Sequence, residues 1–224
     1  MKEAQILHAM EEIMHPLSIL RALIGGFSIL MILMCFFQPG IASAGGPTEA
    51  LQITSQKVRL LLSDMTLKGP AHAADRGEEL LTIIRERFSC EEMSKRALGE
   101  EWFKRSEAEQ QEFTRLFQVL LAKSYAGKIE GYGAKPISYL EEQIANGYAM
   151  VRAKMYAAKN DYVLDFRLME KAGNWLVYDV VVDGISLMSS YRGQVARVLT
   201  YASYETLVER MREIAGLPMH ARAE

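Results

Sequence analysis

Hydrophobic positions change their spacing twice along this chain. From Thr48 to about residue 129 they recur every three or four residues, from about 136 to 183 every second residue, and beyond Gly184 the longer spacing returns. A period near 3.6 marks one face of a helix, and a period of two marks one face of a strand. Leu51, Val58, Leu61, Leu62 and Met65 share one side of a first helix that stops before Gly69-Pro70. A polar loop through Asp75 leads to a second, with Leu80, Leu81, Ile83 and Ile84. Ser89 with Glu92 predicts a capping box, each side chain bonding the other's backbone N–H, at the start of a short helix ending at Leu98-Gly99. Ser106 with Glu109 predicts a second box, opening the longest helix over about 107–129. There Phe113, Leu116, Phe117, Leu120 and Leu121 form the most regular stripe in the chain, the mark of a central core helix. Gly131-Tyr132-Gly133 and Pro136 end it.

Strands are predicted at about 136–143, 148–157, 161–170 and 174–183, joined by turns containing Asn146-Gly147, Lys159-Asn160 and Gly173. Turns this tight make consecutive strands antiparallel. Leu187, Tyr191 and Val195 lie on one side of the next helix. A last helix carries Leu207, Met211 and Ile214, capped from Ser203 and stopped by Gly216 and Pro218. The expected class is therefore α+β: N-terminal helices, a curved four-stranded antiparallel sheet, then C-terminal helices, with the helices on one face of the sheet.

The segment before Thr48 belongs to none of this. Residues 22–37 are sixteen residues without a charge, preceded by Arg21 and followed by Ala42-Ser43-Ala44. A membrane-spanning helix needs about 20 apolar residues, so the run fits a secretory signal peptide with a small-x-small cleavage site. Residues 1–44 are assigned to that peptide, with cleavage after Ala44, and 45–224 to one domain. A retained anchor is the alternative, and Met14 is a second candidate start. Cys35 follows Met34, too large a residue for a lipoprotein cleavage site, so lipidation is not expected. The mature chain is expected to be exported.

Charge and chemistry narrow the function. The chain has 26 Lys and Arg against 28 Asp and Glu, and loss of the leader leaves 24 against 25. A nucleic-acid binder needs an excess of positive charge that is missing here. After cleavage Cys90 is the sole cysteine, so no internal disulfide is possible. Among Phe88, Met93 and Leu98 it reads as a small buried hydrophobe. His72 and His220 sit in polar surroundings and are expected to be exposed, which argues against a histidine triad or zinc site. Glu141 and Glu142, adjacent on a strand, point to opposite faces. Asp179 and Asp183 share a face about 13 Å apart at ~3.3 Å per residue, beyond the roughly 5–9.5 Å of a glycosidase pair. Gly131-x-Gly133 lacks the strand and helix of a phosphate loop. Arg85-Glu86-Arg87 and Arg210-Met211-Arg212 are mixed clusters of the kind found on solvated helix faces. No catalytic residues, metal site or cofactor are expected.

Two blocks of residues carry a family resemblance. The first is Phe88, Met93, Leu98-Gly99, Trp102, Gln110, Gln111, Phe113, Phe117, Leu121 and Tyr125. The second is Trp175-Leu176-Val177-Tyr178-Asp179-Val180, then Gly184-Ile185-Ser186-Leu187, Tyr191-Arg192 and Gln194. Together they resemble the MlaC family, also called toluene-tolerance proteins, over roughly 78–215. Ser89 stands where the family commonly has Asp, and Asp183 where many members have Glu. The resemblance implies a monomeric periplasmic carrier that shuttles phospholipid between an outer-membrane lipoprotein complex and an inner-membrane ABC transporter. It also implies an apolar pocket for acyl chains between sheet and helices. A related branch accompanies hopanoid synthesis, so another lipid is an alternative cargo. A lipid-modifying enzyme in a similar cone, and a scaffold with a filled core, are further alternatives.

Given such a pocket, its candidate lining is Val151, Met155, Leu164, Phe166, Tyr178 and Val180 from the strands, with Met93, Trp102, Leu121, Tyr125, Leu187 and Tyr191 from the helices. Ordinary core packing is the competing reading for each. Asp179 and Arg192 are candidates for an ion pair locking the sheet to the following helix. N-terminal sequencing of the exported protein should begin at Gly45; recovery of the intact chain in the membrane fraction would overturn the cleavage assignment.

Overall fold

In the computed structural model the described residues are 45–67, 69–132, 137–156 and 161–217. The apolar leader, the Ala42-Ser43-Ala44 site, the Lys159-Asn160 turn, Gly133, Pro136, Pro218 and His220 lie outside them. The elements are α1 (Pro47–Ser63), α2 (Ala73–Arg87), α3 (Cys90–Leu98), α4 (Glu107–Tyr132), β1 (Ile137–Ala145), β2 (Tyr148–Met155), β3 (Tyr162–Lys171), β4 (Asn174–Val182), β5 (Ile185–Ser186), α5 (Leu187–Tyr201) and α6 (Tyr204–Ala215). Single 3-10 turns precede α2 and follow α3, the second over Gly99–Lys104. The α+β class stands, with two corrections: the antiparallel sheet has five strands in the order β1-β2-β3-β4-β5, and helices meet both of its faces, α1 on one and α3 with the first turn of α5 on the other. Asp183-Gly184, both with positive φ, makes the extra tight turn, as Asn146-Gly147 does between β1 and β2. The polar loop around His72 is likewise a 3-10 turn running directly into α2.

Local chemistry explains the helix ends. Ser106 and Glu109 form the reciprocal box, the backbone N–H of Ser106 donating to Glu109 Oε2 at 2.7 Å and that of Glu109 to Ser106 Oγ at 3.4 Å. The box expected at Ser89 is only half made. Ser89 Oγ accepts from the N–H of Glu92, but the Ser89 N–H donates to the Val177 carbonyl at 2.8 Å. Glu92 turns instead to Arg96, 2.8 Å away. The sheet has taken the donor that the box needed, and the start of α3 is thereby tied to β4. At the far end of the chain, Lys123 of α4 donates to the Ile214 and Ala215 carbonyls, closing the C-terminus of α6.

Among the described residues, buried apolar side chains form three clusters. The largest joins α3, the 3-10 turn after it, α4, α5 and α6 around Phe113, Phe117, Trp102, Tyr191 and Leu207. Phe117 stands between Phe113 and Tyr191, with ring centroids 5.8 and 5.2 Å away, the second contact edge-on. A second cluster places Leu51 of α1 on Ala149, Val151, Leu168, Trp175 and Val177 of the sheet. A third joins α1 to α2 through Val58, Leu61 and Leu80. Phe88 packs on both the helical and the sheet cluster.

Two side chains expected on solvated helix faces work inside instead. Arg87 donates to Thr54 Oγ1 of α1 and to the Trp175 carbonyl of β4. Arg212, 8% exposed, pairs with Glu112 across the α4–α6 interface.

One carboxylate ties the start of α5 to the sheet. Asp179, 2% exposed, accepts from Ser186 Oγ at 2.6 Å, from the Met188 N–H at 3.1 Å and from Arg167 Nη1 at 3.2 Å. The expected pair with Arg192 is not formed, because the first turn of α5 and β3 occupy both carboxylate oxygens. Replacing Asp179 with Ala orphans these donors and is expected to cost about 3 kcal/mol. Ser186→Ala, which removes only the cap, is expected to cost about 1 kcal/mol. Urea unfolding checks the order; equal losses would show that the carboxylate is not the organising group.

Candidate functional site: a half-covered apolar face

The register across the sheet defines one continuous apolar face. Val151 pairs with Phe166, which pairs with Val180; Ala153 pairs with Leu164, which pairs with Val182. Tyr139 of β1 joins this face beside Ala153. Val151, Leu168 and Val177 are fully buried, whereas Phe166, Val180 and Met155 on the same face are only half covered. The apolar surface thus runs on past the part that α1 closes. Meanwhile α4, the longest helix, packs on α3 and α6 and makes little packing with any strand. Its Leu121 and Tyr125 sit half-buried at the edge of the helical cluster, as does Leu187 of α5.

Tyr178 leaves this set. Sequence alternation put it on the same face as Val180, but β4 carries a bulge between the partners of Arg167 and Leu168. Tyr178 is the extra residue, and side-chain parity reverses after it. Its ring meets Tyr148 edge-on at 5.9 Å and carries the Arg96 guanidinium 4.0 Å above it, all on the opposite face.

The remaining candidates divide by burial. Met93, Trp102 and Tyr191, at 4%, 7% and 5% exposure, are packed inside the helical cluster, and Val151 is packed inside the sheet cluster. Leu164 is buried between Ala153 and Val182. Leu121, Tyr125, Met155, Phe166, Val180 and Leu187 are the half-covered ones. No ionisable acid or base lies among them; the polar atoms nearby are phenols. Tyr139, missed because a second bulge at Leu140 breaks the alternation of β1, bonds Ser55 of α1 at 2.7 Å.

Burial pushes the Tyr191 hydroxyl far above its ordinary range, with the neighbouring Tyr125 hydroxyl adding to the effect. The Tyr125 and Tyr139 hydroxyls are pushed up by burial as well. These phenols stay neutral and hydrogen-bonded, able to hold a polar atom but not to act as bases. Cys90 is half-buried, and burial raises its thiol too, which disfavours the reactive thiolate. His72 is exposed, 3.8 Å from Asp75. Among the described residues no group of three or more His, Cys, Asp and Glu is placed to hold a metal, and no helix is long and apolar enough to cross a membrane.

Residues 52–213 match the sequence model of the family described as MlaC protein. The chain is 26% identical over 151 residues, 62% of its own length and 70% of the relative's, to the intermembrane phospholipid transport system binding protein MlaC of Haemophilus influenzae. It is also similar in fold to a phospholipid-binding protein from Ralstonia solanacearum solved in complex with a phospholipid. That match has a TM-score of 0.68 at 20% identity and covers 77% of this chain and 98% of the other.

The raised phenols carry a stability signature. A tyrosine whose folded pKa lies above its unfolded value of about 10 contributes in full below that pH and progressively loses its contribution as pH rises past it. The melting temperature should therefore fall above about pH 10, and Tyr191→Phe should flatten that fall. An alkaline melting profile unchanged by the substitution would remove Tyr191 as its source.

Proposed function

Because the chain belongs to the MlaC family, we propose that it is a periplasmic phospholipid carrier, the soluble component of an ABC-type transport system that moves lipid between the inner and outer membranes. The observation that carries this reading is the apolar sheet face that continues, half covered and without a charge, past the residues closed off by α1. Acyl chains are the occupant such a surface suits. The names of the relatives, one a phospholipid transport binding protein and one solved with a phospholipid, support the same cargo.

The energetics fit a carrier. At about 0.8 kcal/mol per CH₂, a sixteen-carbon chain needs roughly 12 kcal/mol of burial to leave a membrane without loss. A protein face of aliphatic and aromatic groups supplies burial of the same kind as a bilayer, so loading is close to isoenergetic and needs no chemical step at the carrier. With neutral phenols as the polar groups near the face, binding acts through the tails, and exchange of one headgroup for another changes affinity little. The protein acts as a carrier rather than a catalyst.

Native mass spectrometry of gently purified protein should find a diacyl phospholipid. A hopanoid would redirect the cargo, and lipid-free protein would sink the reading. Val180→Glu and Phe166→Glu should give folded protein that has lost its lipid, because the new carboxylate meets acyl chains when loaded and water when empty. Val177→Glu, in the filled part of the same face, should fail to fold, a buried unpaired charge costing several kcal/mol. Circular dichroism with lipid analysis separates the outcomes. If Val180→Glu unfolds as Val177→Glu does, the half-covered region is ordinary core.

A further inference from the structure

A second concavity lies on the other side of the sheet, away from the apolar face. It has a volume of about 320 Å³ and forms where α3, the 3-10 turn after it, β3, β4 and the first turn of α5 meet. Lys95, Arg96, Arg167 and Arg192 line it with Phe103, as do the carboxylates of Glu92, Asp179 and, at the rim, Glu100. The charges are not equivalent. Arg96 is held by Glu92 and by the Tyr178 ring, and Arg167 by Asp179. Lys95 reaches only the Phe103 ring, 5.4 Å away, and Arg192 has no acidic partner among the described residues. Phe103, next to the buried Trp102, is 68% exposed.

The floor is built to bring Arg192 here. Gly99 has φ +63°, and a Cβ at that position would stand 3.3 Å from Arg192 Cδ, so the absent side chain leaves room for the arginine stem to lie across the turn. Two unpaired cations thus flank an exposed phenyl ring in a recess, with Arg96 and Arg167 below.

We infer that this groove docks an acidic segment of a partner protein, its carboxylates on Lys95 and Arg192 and an aliphatic side chain on Phe103. Charge complementarity selects the occupant. A flat anionic membrane would meet the exposed Glu100 at the rim before its phosphates reached the floor, whereas a short chain can place each carboxylate singly. Docking here is separate from the cargo face, because the bulge at Tyr178 divides the two sides of β4. The inference extends the carrier reading but does not use the lipid.

The test is a titration of the full mature chain, followed by amide NMR, with an acetylated peptide of two aspartates, two glutamates and a central leucine. Amides in 95–103 and 186–192 should move, and affinity should fall with salt. Lys95→Glu combined with Arg192→Glu, both away from the apolar face, should weaken binding about tenfold or more while lipid content stays unchanged. A peptide with lysines in place of the acids should not bind. The inference falls if the shifts lie elsewhere, if the double variant binds equally well, if inorganic phosphate alone reproduces the shifts, or if phosphatidylglycerol vesicles bind this face and the peptide does not. Loss of lipid from wild-type protein with peptide binding intact would instead count against the carrier reading alone.

Discussion

A carboxylate buried inside a protein is costly unless both of its oxygens find donors. Asp179 meets that condition with donors from β3, β5 and the backbone of α5. The requirement works in both directions. The carboxylate is tolerated because α5 begins where it does, and α5 begins there because its first turn needs an acceptor and a negative charge at its N-terminus. Since α5 carries Tyr191 and Val195 into the helical cluster, this group and the Ser89 N–H on the Val177 carbonyl together hold that cluster against the sheet.

The bulge at Tyr178 is what makes the arrangement compatible with an apolar face. Under unbroken alternation, Asp179 would share a face with Trp175 and Val177 and would project among aliphatic residues. One extra residue in β4 turns Asp179 away and brings Val180 into line with Phe166 and Val151. The bulge therefore exchanges a carboxylate for a valine on the face that matters. It also sends Tyr178 to the far side, where Arg96 and Tyr148 receive it. The cost of a locally disrupted ladder is offset on both faces at once.

Much of this fold was legible from hydrophobic spacing alone, because each of the six helices and four long strands among the described residues buries one face against a partner and so needs a regular stripe. What spacing could not convey is parity after an irregularity. The bulges at Leu140 and Tyr178 insert one residue without altering composition, and each reverses every later side chain, which hid Tyr139 and misplaced Tyr178. The fifth strand did have a signal, Asp183-Gly184, the same turn chemistry as Asn146-Gly147. With only two residues beyond it, no alternation could develop. Partner choice was hidden for a different reason: Asp179 and Arg192 are plausible mates by charge, but a backbone N–H and a serine hydroxyl lie closer, and sequence does not rank donors by distance. Burial separates filled core from half-covered face, as Val177 differs from Val180, although both are valines on one side of one strand.

The same division sets what a carrier of this shape can do. Tail burial is non-directional and scales with area, so an apolar face can hold a chain firmly without specifying where it is released. Direction must come from somewhere charged and geometric. On this molecule, charge is excluded from the half-covered face and concentrated on the opposite side, in ion pairs such as Arg152 with Asp165 and Arg167 with Asp179 and in the groove beside α3. β4 is common to both, presenting Val180 to one side and Asp179 to the other. Ser186 and Met188, which bond Asp179, also line the groove, and Leu187 lies between them in the chain. The proposed docking groove and the half-covered apolar face thus lie on opposite sides of a single strand, and the bulge in β4 is what sets them apart.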